Sequence, residues 1–504
     1  MHSKRALINS AVMMLYEVIS TICGLILPRI ILLRFGSEIN GAVASINQFI
    51  SFISVLRLGV AGATRVALYR SLAKHDINKT SAIVKATEQY MRKVGIALIG
   101  YIAILTFVLP YFLKTGLSYY DTGLLVIIIG IGTFANYFFG ITYQTLLDSD
   151  QNEYLYYIIQ TITIVLNTLI GVKLCDLGCS IHLVKLATSI LFFLNPLCLS
   201  LIVRSKYKIN KNVEPDYEAI KNRKSVMTQS IANIVHANTD VTVLTLLSDI
   251  KNVSIYSVYY MVIGMLNKLL SVFTTSLEAA FGNLFANNDK NRIKKNFEAY
   301  EFFISAFVSV VTPCSICLIL PFVNLYTNNV VDADYYQPAF AMLAILAQMM
   351  QCFRQPYRTL VQAAGKYKET ERASIIEAVL NVFISVLFVY RFGLIGVTIG
   401  TFVANTYRTI DYIYYVNNEL IQRKNKASIQ YIMWGLFNSS AIILLYHISL
   451  KNIRIASWVN WVFVAALLTI SSLAIVFLSS FVFYRNNIAY LKEKVNVILK
   501  NRKS

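Results

Sequence analysis

Hydrophobic residues run through the chain in long stretches that short polar or charged connectors separate. A helix needs about 20 mainly apolar residues to cross a bilayer, and stretches of that length recur from one end of the sequence to the other. The pattern predicts an all-α polytopic membrane protein with about 14 transmembrane helices. The predicted spans are 6–33, 41–68, 94–113, 122–147, 154–172, 180–203, 226–247, 253–285, 301–325, 336–361, 373–390, 394–416, 428–448 and 457–483.

The composition agrees with this pattern, because 56% of the 504 residues are hydrophobic and 14% are charged. Soluble globular proteins carry about 25% charged residues. The first apolar stretch, 6–33, is longer than the roughly 7–15 residues of a signal-peptide core, so we expect it to remain as the first span. The net charge of +20 would suggest nucleic acid as a partner of a soluble protein. In a membrane protein topology explains it, and we expect no nucleic-acid partner.

The positions of lysine and arginine predict the orientation of the spans. If the N-terminus is cytoplasmic, the inner connectors hold 31 of the 46 basic residues and the outer connectors hold 7. Cytoplasmic connectors of membrane proteins carry the excess of Lys and Arg. We therefore expect both termini in the cytoplasm, and we expect the basic connectors to attract anionic lipids of the inner leaflet.

An internal duplication divides the predicted spans into two halves. Six residues between Tyr143 and Asn167 recur between Tyr357 and Asn381, at a constant separation of 214 positions (357 minus 143). Each half holds an even number of spans, so the copies would be related by an axis along the membrane normal, a feature of transporters. The predicted domains are an N-lobe at 1–203 (spans 1–6), a cytoplasmic linker at 204–225, a C-lobe at 226–416 (spans 7–12), and spans 13–14 with a basic cytoplasmic tail at 417–504.

Ionisable side chains inside the predicted spans are candidates for function, because each costs at least ~2.5–3.5 kcal/mol at the bilayer centre. Arg57 in the second span and Lys268 in the eighth lie at similar depth in corresponding helices of the two halves. If both side chains face the interface of the halves, they form a cationic site for a phosphate or pyrophosphate group. The alternative is that each pairs with a nearby carboxylate.

Other charged residues within the predicted spans are candidates either for binding a substrate or ion, or for ion pairs with each other. Arg354 and Arg358 are four residues apart and share one helical face, so they need an anionic partner, either a substrate or Glu377 on the next span. Arg408 and Asp411, three residues apart, are expected to neutralise each other. Glu17 in the first span is a candidate to carry H⁺ or Na⁺ for coupling, or to pair with an arginine.

The sequence lacks the residue patterns that ATP binding, metal binding and catalysis require. The sequence contains no GxxxxGK[ST] phosphate-binding loop, and its five histidines show no metal-ligand spacing. No predicted outer connector is long enough to carry a catalytic domain. We therefore expect no enzymatic activity, no catalytic residues, no cofactor and no metal site.

Three segments carry a resemblance to a known family: PRIILLRFGSEINGA at 28–42, LRLGVAGATRVALYRSLAKHD at 56–76 and IIEAVLNVFISVLFVYRFGLIGVTIGT at 375–401. They resemble the polysaccharide-biosynthesis flippases of the Wzx type, a branch of the multidrug/oligosaccharidyl-lipid/polysaccharide exporter superfamily. The similarity extends over nearly the whole chain. The residues that match its motifs are Gly36 and Gly41 in the first segment, Leu68, Tyr69, Leu72, Ala73 and Asp76 in the second, and Gly393, Gly396, Gly400 and Thr401 in the third.

The resemblance implies a MATE-like fold of two pseudo-symmetric six-helix bundles plus two C-terminal helices, located in the bacterial cytoplasmic (inner) membrane. It implies that the protein flips an undecaprenyl-pyrophosphate-linked oligosaccharide repeat unit to the outer leaflet by alternating access, for O-antigen or capsule assembly, with a polysaccharide polymerase as a possible partner. It implies a cationic cavity lined by spans 1, 2, 7 and 8. This adds Arg29 to the substrate contacts and Asp240 to the coupling-ion candidates.

Two positions depart from the family pattern, and other functions stay open. Ser71 stands where the family motif has Pro, and Arg57 stands where we expect many relatives to carry an acidic residue, so the role of Arg57 is not taken from the family. The alternatives are a lipid II flippase, a cation-coupled multidrug or small-solute exporter of the same fold, and a scaffold for the sugar-assembly machinery.

Overall fold

The structure is a computed structural model, and it describes residues 2–210, 212–221, 224–287, 289–450, 453, 455–490 and 492–493. Most of the predicted basic tail therefore lies outside the described residues. All regular elements of the described part are helices. They are α1 (His2–Ser51), α2 (Ser54–Ala73), α3 (Ile77–Phe112), α4 (Tyr119–Ala135), α5 (Ile141–Ser149), α6 (Glu153–Asp176), α7 (Ile181–Leu191), α8 (Leu194–Lys206), α9 (Lys224–Leu247), α10 (Ile250–Ala286), α11 (Lys290–Tyr326), α12 (Pro338–Phe353), α13 (Gln355–Ala363), α14 (Glu371–Phe392), α15 (Leu394–Tyr415), α16 (Lys426–Leu445) and α17 (Trp458–Phe483).

Short π-helical and 3-10 segments join or extend these helices. The π-helical segments are Asn136–Gly140, Val416–Ile421 and Tyr446–Leu450, and the 3-10 segment is Glu218–Ile220. Each predicted span lies within one helix or extends over consecutive helical segments, give or take one or two residues at the ends. Within the described residues the sequence therefore located the helical segments, although α3 and α11 begin well before the predicted spans 94–113 and 301–325.

Within the described residues, nine helical stretches are long and apolar enough to cross a membrane. This confirms the all-α polytopic membrane fold, whereas the count of 14 crossing helices stays a prediction. The nine stretches are Ile8–Arg57, Ile77–Phe112, Tyr119–Phe138, Glu153–Asp176, Ile181–Lys206, Lys290–Tyr326, Glu371–Phe392, Lys426–Ser449 and Trp458–Phe483.

Gly36 divides α1 into two legs. Its φ of 82° lies in the left-handed region that glycine adopts without steric cost, and the helix kinks there. The second leg begins at Ser37, whose backbone N–H and hydroxyl both donate to the carboxylate of Asp332. The kink therefore falls on one of the two glycines of the first family-like segment, 28–42.

Contacts between Cα atoms group the chain into two compact units. Unit 1 comprises Met1–Ser257 and Asn329–Ala333, and unit 2 comprises Val258–Asn328 and Asp334–Ser504. The predicted lobes, divided at 204–225, concern an internal duplication. Packing contacts do not test a duplication, so these boundaries stay a prediction.

A row of polar side chains on the second leg of α1 holds α9 and the start of α10 within unit 1. Asn40 donates to the Ser254 hydroxyl at 2.7 Å, and the hydroxyls of Ser45 and Thr245 are 2.7 Å apart. Such bonds hold helices together where apolar burial gives no driving force, as in a bilayer. Gly41 allows the close approach, because a Cβ there would lie 2.2 Å from the Ile250 carbonyl oxygen.

In unit 2, α14 and α15 pack closely through the glycines of the third family-like segment. A Cβ at Gly396 would lie 2.3 Å from the Phe388 carbonyl oxygen, and one at Gly400 would lie 2.3 Å from Ser385 Oγ. Small residues four apart permit this approach of two membrane helices. The two C-terminal helices α16 and α17 pack on α11 around the stacked rings of Phe302 and Trp434, whose centroids are 5.5 Å apart.

Candidate functional site

The helix that carries Arg57 is interrupted. The backbone turns between Ser51 and Ser54, and the N–H groups of Phe52 and Ile53 bond only three residues back, at 3.2 Å. An interruption at membrane depth leaves polar backbone groups that protein side chains or water must satisfy. Discontinuous helices of this kind line substrate sites in transporters.

Two tyrosines of α3 satisfy carbonyl groups on either side of this interruption. The Tyr101 hydroxyl donates to the Phe49 carbonyl at 2.9 Å, and the Tyr90 hydroxyl donates to the Leu56 carbonyl at 2.8 Å. Each bond joins the backbone next to the interruption to α3, where lipid could offer no hydrogen-bond donor. The segment immediately before Arg57 is therefore held in place by a neighbouring helix.

Arg57 is half-buried, and its side chain makes no hydrogen bond or ion pair with the part of the chain that the structure describes. Its charge acts on Asp148, just beyond the predicted span 122–147. Burial, and next the neighbouring Glu153 carboxylate, raise the pKa of Asp148, while Arg65 and Arg57 lower it. Among the described residues, Arg65 is the one that forms an ion pair with Asp148, at 3.3 Å.

The other predicted residues of unit 1 lie apart from one another. Glu17 and Arg29 are both half-buried on the first leg of α1 and both have interaction partners, but 12 residues of helix separate them, about 18 Å at 1.5 Å per residue. Asp240 on α9 is 3% exposed and accepts a hydrogen bond from the Tyr256 hydroxyl at 2.9 Å. This contact ties the Asp240 carboxylate to the start of α10.

Unit 2 contains a second interrupted helix, with Arg354 at the interruption. α12 ends at Phe353, and α13 begins at Gln355, directly before Pro356. Arg354 is 6% exposed and forms an ion pair with Glu377. The proposed partner of Arg354 on the next span is thus confirmed.

Arg408 extends this pair into a buried network. Its Nε lies 3.5 Å from Glu377 Oε2, and one terminal nitrogen lies 3.0 Å from Asp411, which confirms the predicted Arg408–Asp411 pair. The other terminal nitrogen donates to the Ser374 hydroxyl at 2.7 Å. Two arginines and two carboxylates leave the network electrically neutral.

Arg358 lies one helical turn beyond Arg354 and has a different environment. It is half-buried, and the described residues offer its guanidinium no carboxylate within 4.0 Å. Glu377 and Glu278 are the acidic groups that act on its charge from a greater distance. The charge of Arg358 is therefore balanced less locally than that of Arg354.

Lys268 occupies an exposed position on α10 and has contacts of its own. The preceding residue, Asn267, exchanges two amide hydrogen bonds with Gln348 of α12, at 3.1 and 2.6 Å. This reciprocal pair fixes the turn of α10 that presents Lys268.

A further buried network was not predicted from the sequence. Arg423 contacts Glu301 Oε2 at 2.6 Å, the Tyr357 hydroxyl donates to Glu301, and the Arg423 guanidinium lies 5.5 Å from the centre of the Phe297 ring. The sequence did indicate one member of this network, because Glu301 is a carboxylate at the first position of the predicted span 301–325. Its partner, in the connector before α16, could not be identified from spacing.

These arrangements favour binding of an oxyanion. An arginine can donate two parallel hydrogen bonds to a phosphate group, and its planar guanidinium is less strongly hydrated than an ammonium group. Within the described residues, no group of three or more His, Cys, Asp and Glu side chains could hold a metal ion.

Known structures share this fold. The lipid II flippase MurJ in an inward closed conformation is similar with a TM-score of 0.67 and 14% sequence identity, over 94% of this chain and 100% of that chain. A multidrug resistance MATE family transporter of the MOP superfamily, in an inward-facing conformation, is similar with a TM-score of 0.59 and 14% identity, over 84% of this chain and 95% of that one. A MOP superfamily transporter from Pyrococcus furiosus gives a TM-score of 0.51 at 15% identity, over 87% of this chain and 94% of that one.

No family model and no curated protein sequence matches the chain. At 14–15% identity the structural likeness establishes the fold alone. The chain therefore has the polytopic fold that MATE transporters and MurJ share.

Proposed function

We propose that this protein is a flippase for a lipid-linked oligosaccharide whose head carries a pyrophosphate, used in surface polysaccharide assembly. It would move the repeat unit from the cytoplasmic to the outer leaflet by alternating access, without enzymatic activity. The observation that carries the proposal is the same in each unit: an interrupted membrane helix bears an arginine, Arg57 or Arg358, with no ion pair to the described residues.

The substrate contacts follow from the charge environment of each cation. Arg57 and Arg358 are proposed to bind phosphate oxygens directly, because no carboxylate of the described residues pairs with either of them at close range. Lys268 and Arg29 are proposed as additional contacts. Arg354 is proposed to position α13 and Arg358, since Glu377 already balances its charge.

Coupling to an ion gradient is proposed for two carboxylates, Glu17 and Asp240. Asp240 is deeply buried against Tyr256, and a buried carboxylate of this kind can exchange H⁺ or hold Na⁺. Replacing Asp240 by Asn should therefore lower ion-driven transport more than it lowers substrate binding.

The cellular setting is part of the same proposal. We place the protein in the bacterial inner membrane with both termini in the cytoplasm, in contact with anionic lipids and with a polysaccharide polymerase. The MurJ likeness favours one alternative, a lipid II flippase, which would use the same pyrophosphate chemistry. The excess of cations over anions in the predicted spans disfavours an exporter of cationic drugs.

A complementation experiment tests the substrate assignment. In cells that lack the chromosomal copy, Arg57→Ala combined with Lys268→Ala should abolish surface polymer while the protein remains in the membrane at normal abundance. Arg391→Ala, at the end of α14, serves as the control for loss of a cation. Full polymer in the double variant would contradict the proposed contacts, and full complementation of a strain depleted of lipid II flippase would favour the alternative.

A further inference from the structure

Unit 1 contains a cavity of about 750 Å³ that the transport proposal does not use. One wall is the second half of α2, from Gly62 onward, with Lys74, which directly follows the helix. The other walls are the start of α3 and the 3-10 segment Glu218–Ile220 of the linker. By the charge distribution of the connectors, this end of α2 is the one predicted to face the cytoplasm.

One part of the cavity is lined by small apolar residues. Gly62, Ala63, Val66 and Ala67 line it from one face of α2. Apart from its own stretch of helix, none of the described residues places an atom within 4 Å of the position that a Cβ on Gly62 would occupy. This surface can therefore accommodate hydrocarbon, and a larger residue at position 62 would fill the space.

The opposite part of the cavity is cationic. Arg70 and Lys74 continue the same face of α2 beyond Val66, and Lys221 lies on the linker wall. Within the described residues, neither Arg70 nor Lys74 forms an ion pair.

The acidic residues of the lining do not balance these charges. Asp76 caps α3 by accepting the Lys79 backbone N–H at 2.9 Å, and Lys79 is paired with Asp216 at 2.6 Å. Glu218 lies 3.6 Å from Lys221, but the pair is largely exposed, and exposed pairs contribute little. The cavity thus keeps an excess of positive charge beside an apolar surface.

We propose that this cavity binds a membrane lipid whose headgroup carries phosphate, with the phosphate at Arg70, Lys74 and Lys221 and the first methylene groups along Gly62, Ala63 and Val66. Charge complementarity selects the anion, and the apolar wall distinguishes a lipid from a soluble phosphate. An anionic phospholipid and a polyprenyl-pyrophosphate lipid present this same chemistry. The site is independent of the cations proposed to bind the transported head, so the transport proposal can fail without affecting it.

Binding to the purified full-length protein in nanodiscs of phosphatidylcholine tests this site. The probes are fluorescent phosphatidylglycerol, undecaprenyl pyrophosphate and soluble inorganic pyrophosphate. The variants are Arg70→Gln with Lys74→Gln, which removes the charge, and Gly62→Trp, which fills the space. The control is Lys294→Gln with Lys295→Gln, which removes two exposed cations from the first turns of α11, on the same predicted side of the membrane.

The charge variant should weaken binding of at least one lipid probe by about tenfold or more, given roughly a factor of five for each cation near a lipid phosphate. Gly62→Trp should weaken binding of the same lipid, because the indole ring occupies the space proposed for its methylene groups. The control pair should leave binding unchanged, and soluble pyrophosphate should bind more weakly than either lipid. Loss confined to phosphatidylglycerol identifies a phospholipid, and loss confined to undecaprenyl pyrophosphate identifies the carrier lipid. Binding equal to wild type in both test variants, or an equal loss in the control pair, would overturn the proposal. If Gly62→Trp does not fold, the charge variant decides alone.

Discussion

Asp332 accepts two hydrogen bonds from Ser37, one from the backbone N–H at 2.7 Å and one from the hydroxyl at 2.8 Å. The carboxylate lies at the beginning of the second leg of α1, where the first N–H groups of a helix have no partner within it. A connector residue almost 300 positions away thus caps the helix that leads to the interruption before Arg57.

Replacing Asp332 by Ala should remove this cap and lower the free energy of unfolding by about 0.5–2 kcal/mol, the usual contribution of a capping side chain. Thermal unfolding of the purified protein in detergent measures the change. Glu214→Ala, an exposed acidic residue of the linker, is the control for lost charge and should leave Tm unchanged. An unchanged Tm for the Asp332 variant would show that water replaces the carboxylate.

A second prediction concerns Glu377, which both Arg354 and Arg408 contact. Glu377→Gln should lower the free energy of unfolding by about 3–5 kcal/mol, because it leaves a buried guanidinium without compensation. Asp411→Asn should cost less, since the Asp411 side chain is 30% exposed and water can take its place. Tm measurements in one detergent rank the variants.

The double variant Arg354→Met with Glu377→Met provides the control for this argument. It removes both charges of the pair and keeps the Arg408–Asp411 pair, so it should be less destabilised than Glu377→Gln. A double variant as unstable as the sum of its single changes would show that charge balance does not determine the stability of the network.

Features could be predicted from the sequence where the interacting residues are close together along the chain. The helical segments were predictable because long apolar stretches identify them, and Arg408–Asp411 was predictable because residues three apart meet on a helix. The interruption before Arg57 was not predictable. Neither Gly nor Pro occurs between Ser51 and Ser54, and the two tyrosines that stabilise it belong to another helix.

The same limit applies to the buried networks. Glu301 and Arg423 meet only because α11 packs beside the connector before α16, a contact that no spacing encodes. The association of α9 with unit 1 likewise depends on polar side chains of the second leg of α1, of which the sequence shows only individual Ser, Thr and Asn residues.

A third prediction concerns pH. Burial first, and then Glu153, raise the pKa of Asp148, while Arg65 and Arg57 oppose the shift. Because the folded state then binds the proton more tightly than the unfolded state, Asp148 contributes stability at low pH that is lost as the pH rises through the raised pKa. Between about pH 5 and about pH 8, wild-type Tm should fall more steeply than that of Asp148→Asn.

Asp216 supplies a control of opposite sign. The hydrogen bond from Lys79 is the main cause that lowers the pKa of Asp216, so its contribution is present above the unfolded pKa and is lost as the pH falls through the lowered value. Asp216→Asn should therefore lower Tm slightly at neutral pH and leave the slope between about pH 5 and about pH 8 unchanged. Equal slopes for wild type and Asp148→Asn would contradict the assignment to Asp148.

The last prediction distinguishes Arg354, between α12 and α13, from Arg358, in α13. Loss of Arg358 should reduce export, whereas loss of Arg354 should mainly reduce the amount of folded protein. Arg358→Ala should lower surface polymer by about tenfold or more at unchanged protein abundance, since a charged hydrogen bond contributes about 1.5–3 kcal/mol. Arg358→Lys should restore part of the export, because a point charge still attracts phosphate but loses the second parallel bond. Arg354→Ala should instead lower the amount of folded protein, because Glu377 then loses its closest partner and only Arg408 remains beside it. Polymer per folded molecule is therefore the decisive quantity. It should fall most for Arg358→Ala, and it should fall less for Arg354→Ala, which disturbs the position of Arg358 but keeps its guanidinium. If both variants lose protein in parallel with polymer, Arg358 supports the fold, and the phosphate contact in unit 2 must be assigned to Lys268.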